Sequence, residues 1–462
     1  MNATPVRVRF APRPHDPLHL VSARTALFAW LYARHHDGAF ILRLEDTDTA
    51  DEATGAAADV VQDLRWLGLN WDEGPEVGGE YGPYRQHERM EIYHHWAEWL
   101  VAQGRAYVNE KEPTIRFRLN RDTVTRLQDE LRGWVSFGAE SLSDPVLISA
   151  EGLPTHHLAR VVDDHLMAVT HVFQAEEWLP LAPIYCQIMD AFGWERPQFV
   201  HLPAVLNPGG SGRLSQHRAQ FMYQDRPVDV VVPALRKAGF MPQGVANLLL
   251  LVGWGYGHQQ EVFTLAEAAP RFRVGDIKQG GAAYPVHKLS WLSGMHIRRL
   301  EVEELAALLS PFIEAHGYQV DTNKLVGIVP AIQTRIRTLH DGVKFTGFLW
   351  DPDFKPGPAD AMIPKGLDGP RTLALLTAVY DLLEDIQPFA ADTLEHALRN
   401  IIQQEGLRTA QLLDPIRVAI TAQPVAPPLF AAMQVLGRAE TRQRLAASLE
   451  VLQEFINRGS LH

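Results

Sequence analysis

Little in this sequence ties it to a metal, a membrane or an oxidising compartment. One of its 462 residues is cysteine, Cys186, so neither a disulfide framework nor a cysteine-based zinc site is expected. The twenty histidines show no trustworthy metal-ligand spacing. No apolar run is long enough to cross a bilayer, and MNATPVRVRF lacks the basic segment and apolar core of a secretion signal. A cytoplasmic protein without a membrane partner is the expectation. There is no low-complexity tract and no internal repeat. With 46% hydrophobic and 21% charged residues, the composition is that of an ordinary globular protein. Positive charge is not in excess either. The formal charge of −12 argues against indiscriminate nucleic-acid binding, since phosphate contacts need local positive charge, and DNA is not an expected partner.

The length suggests three or more structural units. Residues 6–10 alternate and are β-rich, residues 12–17 form a proline-punctuated loop, and residues 23–34 carry Leu27, Trp30 and Leu31 at helical spacing. A second strand at 40–44 runs into EDTDTADE and a helix near 54–66. This alternation predicts a parallel sheet with crossovers, and ligands of such sheets bind at the carboxyl ends of strands, beside the 11–22 loop and Glu45. Between 114 and 149 the texture changes to TIRFRL, GWVSF and PVLIS, which predicts an antiparallel insertion. Parallel α/β character returns at 154–206, and beyond about 225 the periodicity is helical, with a Pro/Gly/Asp-rich break at 351–370. One segment is locally basic: between 271 and 300, Arg271, Arg273, Lys278, Lys288, Arg298 and Arg299 face only Asp276, a net of +5. It suits a phosphate backbone or a solvated face equally well.

Several blocks, in order along the chain, carry a resemblance: VRVRFAPRPHDPLHLVSAR at 6–24, LRLEDTD at 42–48, GPYRQ at 82–86, VVDDHLM at 161–167, EEWL at 176–179, GGSGRLSQHRAQ at 209–220, KLSWL at 288–292 and VLGR at 435–438. The chain resembles the glutamyl-tRNA synthetase family of class I aminoacyl-tRNA synthetases from residue 6 to about 445. The resemblance implies a Rossmann-like α/β catalytic domain (1–86 and 154–235) split by a small α+β insertion (87–153) and followed by all-α C-terminal domains. These would be a connecting domain (236–325) and an anticodon-binding-like domain (326–462). In the last part Lys and Arg number 13 against 15 Asp and Glu for residues 331–462, so anticodon reading follows from the resemblance and not from charge.

Members of that family activate glutamate with ATP and magnesium and transfer it to tRNA, here of the tRNA-Glu type. The implied nucleotide residues are Pro12, His15, His19, Leu20, Val21, Ser22 and Gln216, with His19, Arg213, Ser215 and Gln216 at catalytic positions. Both signatures are altered. Val21 and Asp16 stand where glycines are usual, His15 replaces a small hydroxyl residue, and Gln216 replaces a lysine. Arg9 and Glu45 match positions that contact the amino acid; there, His156 replaces a tyrosine, Arg160 an asparagine and Gln174 an arginine. The six basic residues of 271–300 are the tRNA-binding candidates. Two functions are compatible with this pattern: a tRNA-charging ligase with a remodelled site, and a catalytically impaired paralogue that serves as a tRNA-binding or regulatory module. Single motifs keep plain alternatives. EDTD suits a helix cap, VVDDHLM a buried strand and polar turn, EEWL an acidic helix start, and 213–218 a solvated loop.

Overall fold

The computed structural model describes residues 5–459 apart from 15–16, 48–52, 211, 215–218, 258–259 and 424–425; residues 53–58 and 459 are described by backbone alone. The chain divides into two compact units, residues 1–293 and 294–462.

The first unit is organised by β1 (Arg7–Phe10), α1 (Leu20–His35), β2 (Ala39–Leu42) and α2 (Ala53–Trp66). Every residue of β1 is buried, as befits a central strand covered on both faces. Between α2 and the second half of the sheet lie α3 (Met90–Ala102), β3 (Ala106–Asn109), β4 (Thr114–Phe117), β5 (Thr125–Asp129), β6 (Gly133–Phe137) and β7 (Val146–Ile148). Then come α4 (His156–Leu166), β8 (His171–Ala175), α5 (Ala182–Phe192) and β9 (Gln198–Leu202). The main sheet has the order β2-β1-β8-β9-β5-β6. Its first five strands pair in parallel and β6 closes the edge antiparallel to β5. The chain turns to opposite sides of β1, to β2 one way and to β8 the other, which makes β1/β8 the switch point where a crevice opens.

The expected antiparallel segment is therefore divided in two. TIRF and VLI join AYVN in a separate three-stranded sheet, β3-β4-β7, whereas GWVSF pairs with TRLQD to form a hairpin that extends the main sheet. The residues of VVDDHLM are not a strand. They form the second half of α4 and its cap, with Val161, Val162, Asp163 and Asp164 all buried. Asp46 of EDTD does cap a turn, but a distant one: its carboxylate accepts from the His87 backbone N–H at 3.1 Å and meets His87 Nδ1 at 2.8 Å, in the 3-10 turn Gln86–Arg89.

The second unit is helical, with Val302–Glu314, Thr322–Ile332, Leu339–Thr346, Gly369–Asp385, Ala391–Gln404, Thr409–Thr421 and Leu429–Gly459. The last is broken at Gly437 (φ 80°, ψ 165°), a left-handed φ that glycine tolerates best. Among the described residues, no helix is long and apolar enough to cross a membrane.

Candidate functional site

A cleft of about 790 Å³ opens at the switch point. Its walls come from the end of β1 and the following loop (residues 9–13), the start of α1, and the end of β8 (residues 173–175). Arg160 and His156 of α4 and Trp178 close one side. His19 caps α1: its Nδ1 accepts the Val21 backbone N–H at 3.2 Å, relieving one of the donors that the first turn leaves unpaired. In a neutral ring this puts the proton on Nε2. One residue on, Leu20 is buried in the core and turned out of the cleft, whereas Val21 and Ser22 line it.

Beneath this wall lies a buried ionic network. Arg9 donates Nε and Nη2 to the two carboxylate oxygens of Asp164 at 3.0 and 3.2 Å. Arg43, fully buried, donates to Asp164 at 2.7 Å and stands 3.5 Å from Asp163 and 3.7 Å from Glu45. Asp163 also receives Arg89, Gln86 and Tyr93. Arg160 forks onto Glu45 at 2.8 and 2.9 Å while its guanidinium lies 4.4 Å from the Trp178 ring centre. Burial works to raise the Glu45 and Asp164 carboxyls, but the guanidiniums of Arg160 and Arg9 respectively, with Arg43, hold both below their ordinary range. At Asp163 burial wins and the carboxyl is raised despite Arg43 and Arg89. Burial, helped by His156 and Arg160, pushes the His157 imidazole down to about 3. Removing one member of this network strands another.

A second chain of contacts reaches the cleft from below. Gln174 Nε2 lies 2.7 Å from His201 Nε2, and His201 Nδ1 lies 2.7 Å from Asp129 Oδ2. Asp129, His201 and Gln174 are all buried. Asp129 also accepts from the backbone N–H groups of Leu131, Arg132 and His201.

Of the residues expected from sequence, Arg9, Pro12, His19, Val21, Ser22, His156, Arg160 and Gln174 meet around this one cleft. Glu45 lies behind the wall and lines a smaller cavity of about 340 Å³ that shares Arg13 and His156 with the cleft. Arg213 is exposed, 3.4 Å from Glu176, and does not line the cleft. His15, Asp16, Ser215 and Gln216 lie outside the described residues. The basic run is divided: Arg271, Arg273, Lys278 and Lys288 belong to the first unit, Arg298 and Arg299 to the second. Lys288 pairs with Glu261 and Arg271 stacks on Tyr256 at 4.4 Å. Sequence reading gave no role to Arg43 and Asp164, although both lie in quoted blocks, LRLEDTD and VVDDHLM, and passed over Asp129 and His201. For His201 the signal was a polar residue inside an apolar run, as in FVHLP. Among the described residues no group of three or more His, Cys, Asp or Glu is arranged to hold a metal ion.

Comparison with known proteins agrees with this architecture. The profile described as tRNA synthetases class I (E and Q), catalytic domain, matches residues 5–114 and 108–291, and an anticodon binding domain profile matches 304–449. A glutamate–tRNA ligase of Chloroflexus aurantiacus is 37% identical over 507 residues, spanning 98% of this chain and 99% of the relative. One from Dehalococcoides mccartyi is 36% identical over 489 residues, spanning 97% and 98%. Among solved structures, a glutamate tRNA ligase from Elizabethkingia meningosepticum in complex with its amino acid is similar with a TM-score of 0.81 at 27% identity. The match covers 97% of this chain and 100% of that one.

Proposed function

Because the chain belongs to the class I tRNA synthetases of the E and Q type, we propose that it activates glutamate or a close relative with ATP and transfers it to tRNA. In the first step the amino acid's α-carboxylate attacks the α-phosphorus of ATP and pyrophosphate leaves. In the second a terminal ribose hydroxyl of tRNA attacks the acyl carbon and AMP leaves. The observation that carries this reading is the single cleft, in the size range of ligand pockets, that gathers Arg9, Pro12, His19, Val21, Ser22, His156, Arg160 and Gln174 at the strand tips.

In this reading the start of α1, with Ser22 and the His19 ring, meets the phosphates, since a helix N-terminus favours anions. Leu20 anchors that turn in the core. His15, Ser215, Gln216 and Arg213 belong to the two loops that handle the triphosphate, and magnesium accompanies ATP as its counter-ion. Arg9, Glu45, His156, Arg160 and Gln174 form the amino-acid end. Catalysis would rest on positioning and charge stabilisation. The second unit and the basic residues Arg271, Arg273, Lys278, Lys288, Arg298 and Arg299 serve tRNA of the tRNA-Glu type, and the protein works in the cytoplasm without zinc.

Two observations favour the second reading, an impaired paralogue that only binds tRNA. Glu45 is occupied by Arg160, and the Val21 side chain stands on the cleft wall. Pyrophosphate exchange with glutamate, glutamine and total tRNA decides between them. Exchange above background supports the ligase; none, with tRNA binding retained, supports the module.

A further inference from the structure

Val21, Ser22 and Thr25 of α1 line the cleft, whereas Arg24 turns away from it and is buried in the interior of the first unit. Its Nε donates to the Val252 carbonyl at 2.7 Å and its Nη1 to the Pro203 carbonyl at 2.9 Å; Nη2 has no hydrogen-bond partner among the described residues. No carboxylate there forms an ion pair with it. Burial pushes the guanidinium down to about 10, and only the more distant charge of Glu176 resists, so at neutral pH it stays a buried cation without a counter-ion. Such a group is costly to keep. The two carbonyls it bridges are 49 residues apart and belong to different segments. Pro203 leads into the short strand Val205–Leu206, to which the chain returns at Arg213 and Leu214: Leu206 bridges Arg213, and the Leu214 N–H donates to the Val205 carbonyl at 2.8 Å. Val252 ends the helix Pro242–Leu251. At Gly253, whose φ is 103°, a Cβ atom would stand 2.7 Å from Arg24 Nη2, so the guanidinium lies against bare backbone.

We infer that Arg24 is a positioning residue for the polyphosphate end of the cleft: its fork ties the cleft-lining first turn of α1 to the segment that carries Arg213, and holds the two at one spacing. The inference rests on reading the cleft as an ATP site. Arg24 acts there through Ser22 on one side and Arg213 on the other. A displacement of about 1 Å between groups that must act together costs on the order of 10²-fold, and a bridge to two backbone carbonyls fixes a spacing that apolar packing alone would leave softer. The two ends of ATP feel this differently. AMP stops at its α-phosphate and gains little from the Arg213 segment, whereas the β- and γ-phosphates need both segments in place. The signature of the bridge is therefore the preference for ATP over AMP, not nucleotide affinity as such.

The test is calorimetric titration of the full chain with AMP and with the α,β-methylene analogue of ATP, both in the presence of magnesium. The parent is expected to bind the triphosphate about tenfold tighter than AMP. Arg24→Met keeps an unbranched stem and loses every donor; it should weaken the triphosphate about tenfold and leave AMP unchanged, bringing the ratio near one. Arg24→Lys keeps the charge without the fork and should fall between. Gly253→Ala displaces the guanidinium with Arg24 intact and should lower the ratio in the same direction, so it carries the test if Arg24→Met does not fold. Melting curves accompany each variant, because an arginine that merely satisfied two carbonyls would weaken both nucleotides alike as the melting temperature falls. An unchanged ratio, or equal loss of both nucleotides, overturns the inference and leaves the ATP reading standing. A parent that binds neither nucleotide overturns both.

Discussion

Glu45 and Arg160, 115 residues apart, are joined by two parallel hydrogen bonds of 2.8 and 2.9 Å, and the pair forms part of the partition between the large cleft and the smaller cavity beside it. Removing Arg160 leaves a buried carboxylate with Arg43 at 3.7 Å as its nearest cation. Arg160→Leu is expected to lower stability by about 3 kcal/mol, while Glu45→Gln with Arg160→Leu together cost less than the sum of the two. Urea unfolding of the four proteins in the cycle measures this; additive effects would mean that the pair carries no coupling.

Val21 is half-buried at the first turn of α1 and presents its branched side chain to the cleft. Val21→Gly removes it, and ATP affinity is expected to rise about tenfold, the effect of relieving roughly 1.4 kcal/mol of overpacking. The same change costs helix stability, up to about 1 kcal/mol. Titration with ATP, alongside a melting curve, separates the two; an unchanged affinity would show that the nucleotide does not approach this turn.

His157 is held neutral, its imidazole pushed down to about 3 by burial and by the nearby His156 and Arg160. The unfolded chain binds this proton near 6.5 and the folded chain does not. The stabilisation is therefore complete above pH 6.5 and is lost as pH falls toward 3, by at most about 1.4 kcal/mol per pH unit. His157→Gln should flatten that part of the stability profile relative to the parent, as read from unfolding midpoints between pH 7 and pH 4.

Asp63 on α2 behaves in the opposite sense. Burial, resisted by Arg236 and reinforced by Asp59, pushes its carboxyl up to about 6. Because the folded state holds the proton more tightly, stability falls as pH rises from about 4 through 6. Asp63→Asn is expected to raise stability at pH 7.5 by about 1–2 kcal/mol and to change little at pH 4. A lower melting temperature at pH 7.5 would contradict this.

Much of the first unit could be read from local signals. The alternation of VRVRF, the proline-rich loop and the 3.6-residue spacing of Leu27, Trp30 and Leu31 announce strand, loop and helix, and the structure has β1 and α1 there. The place of the 11–22 loop followed because ligands of such sheets bind at strand tips, whereas the individual cleft residues were implied by the family resemblance. The charge pairing was not legible. Arg9 meets Asp164 and Arg43 meets Asp163 across more than a hundred residues, and no periodicity encodes a contact between distant segments. VVDDHLM reads as a strand for the same reason: its two aspartates look like a polar turn until the guanidiniums that neutralise them are known. TRLQD passed unnoticed because its two exposed positions, Arg126 and Gln128, dilute the apolar signal.

The hairpin of β5 and β6 gives the segment between the two halves of the sheet a stake in the cleft itself. Asp129 ends β5, Leu131 enters the central core, and Arg132 grips Glu176 at 2.5 Å. Excising residues 87–153 would thus take away the carboxylate that fixes His201 and, through that ring, loosen a contact to Gln174 on the cleft wall.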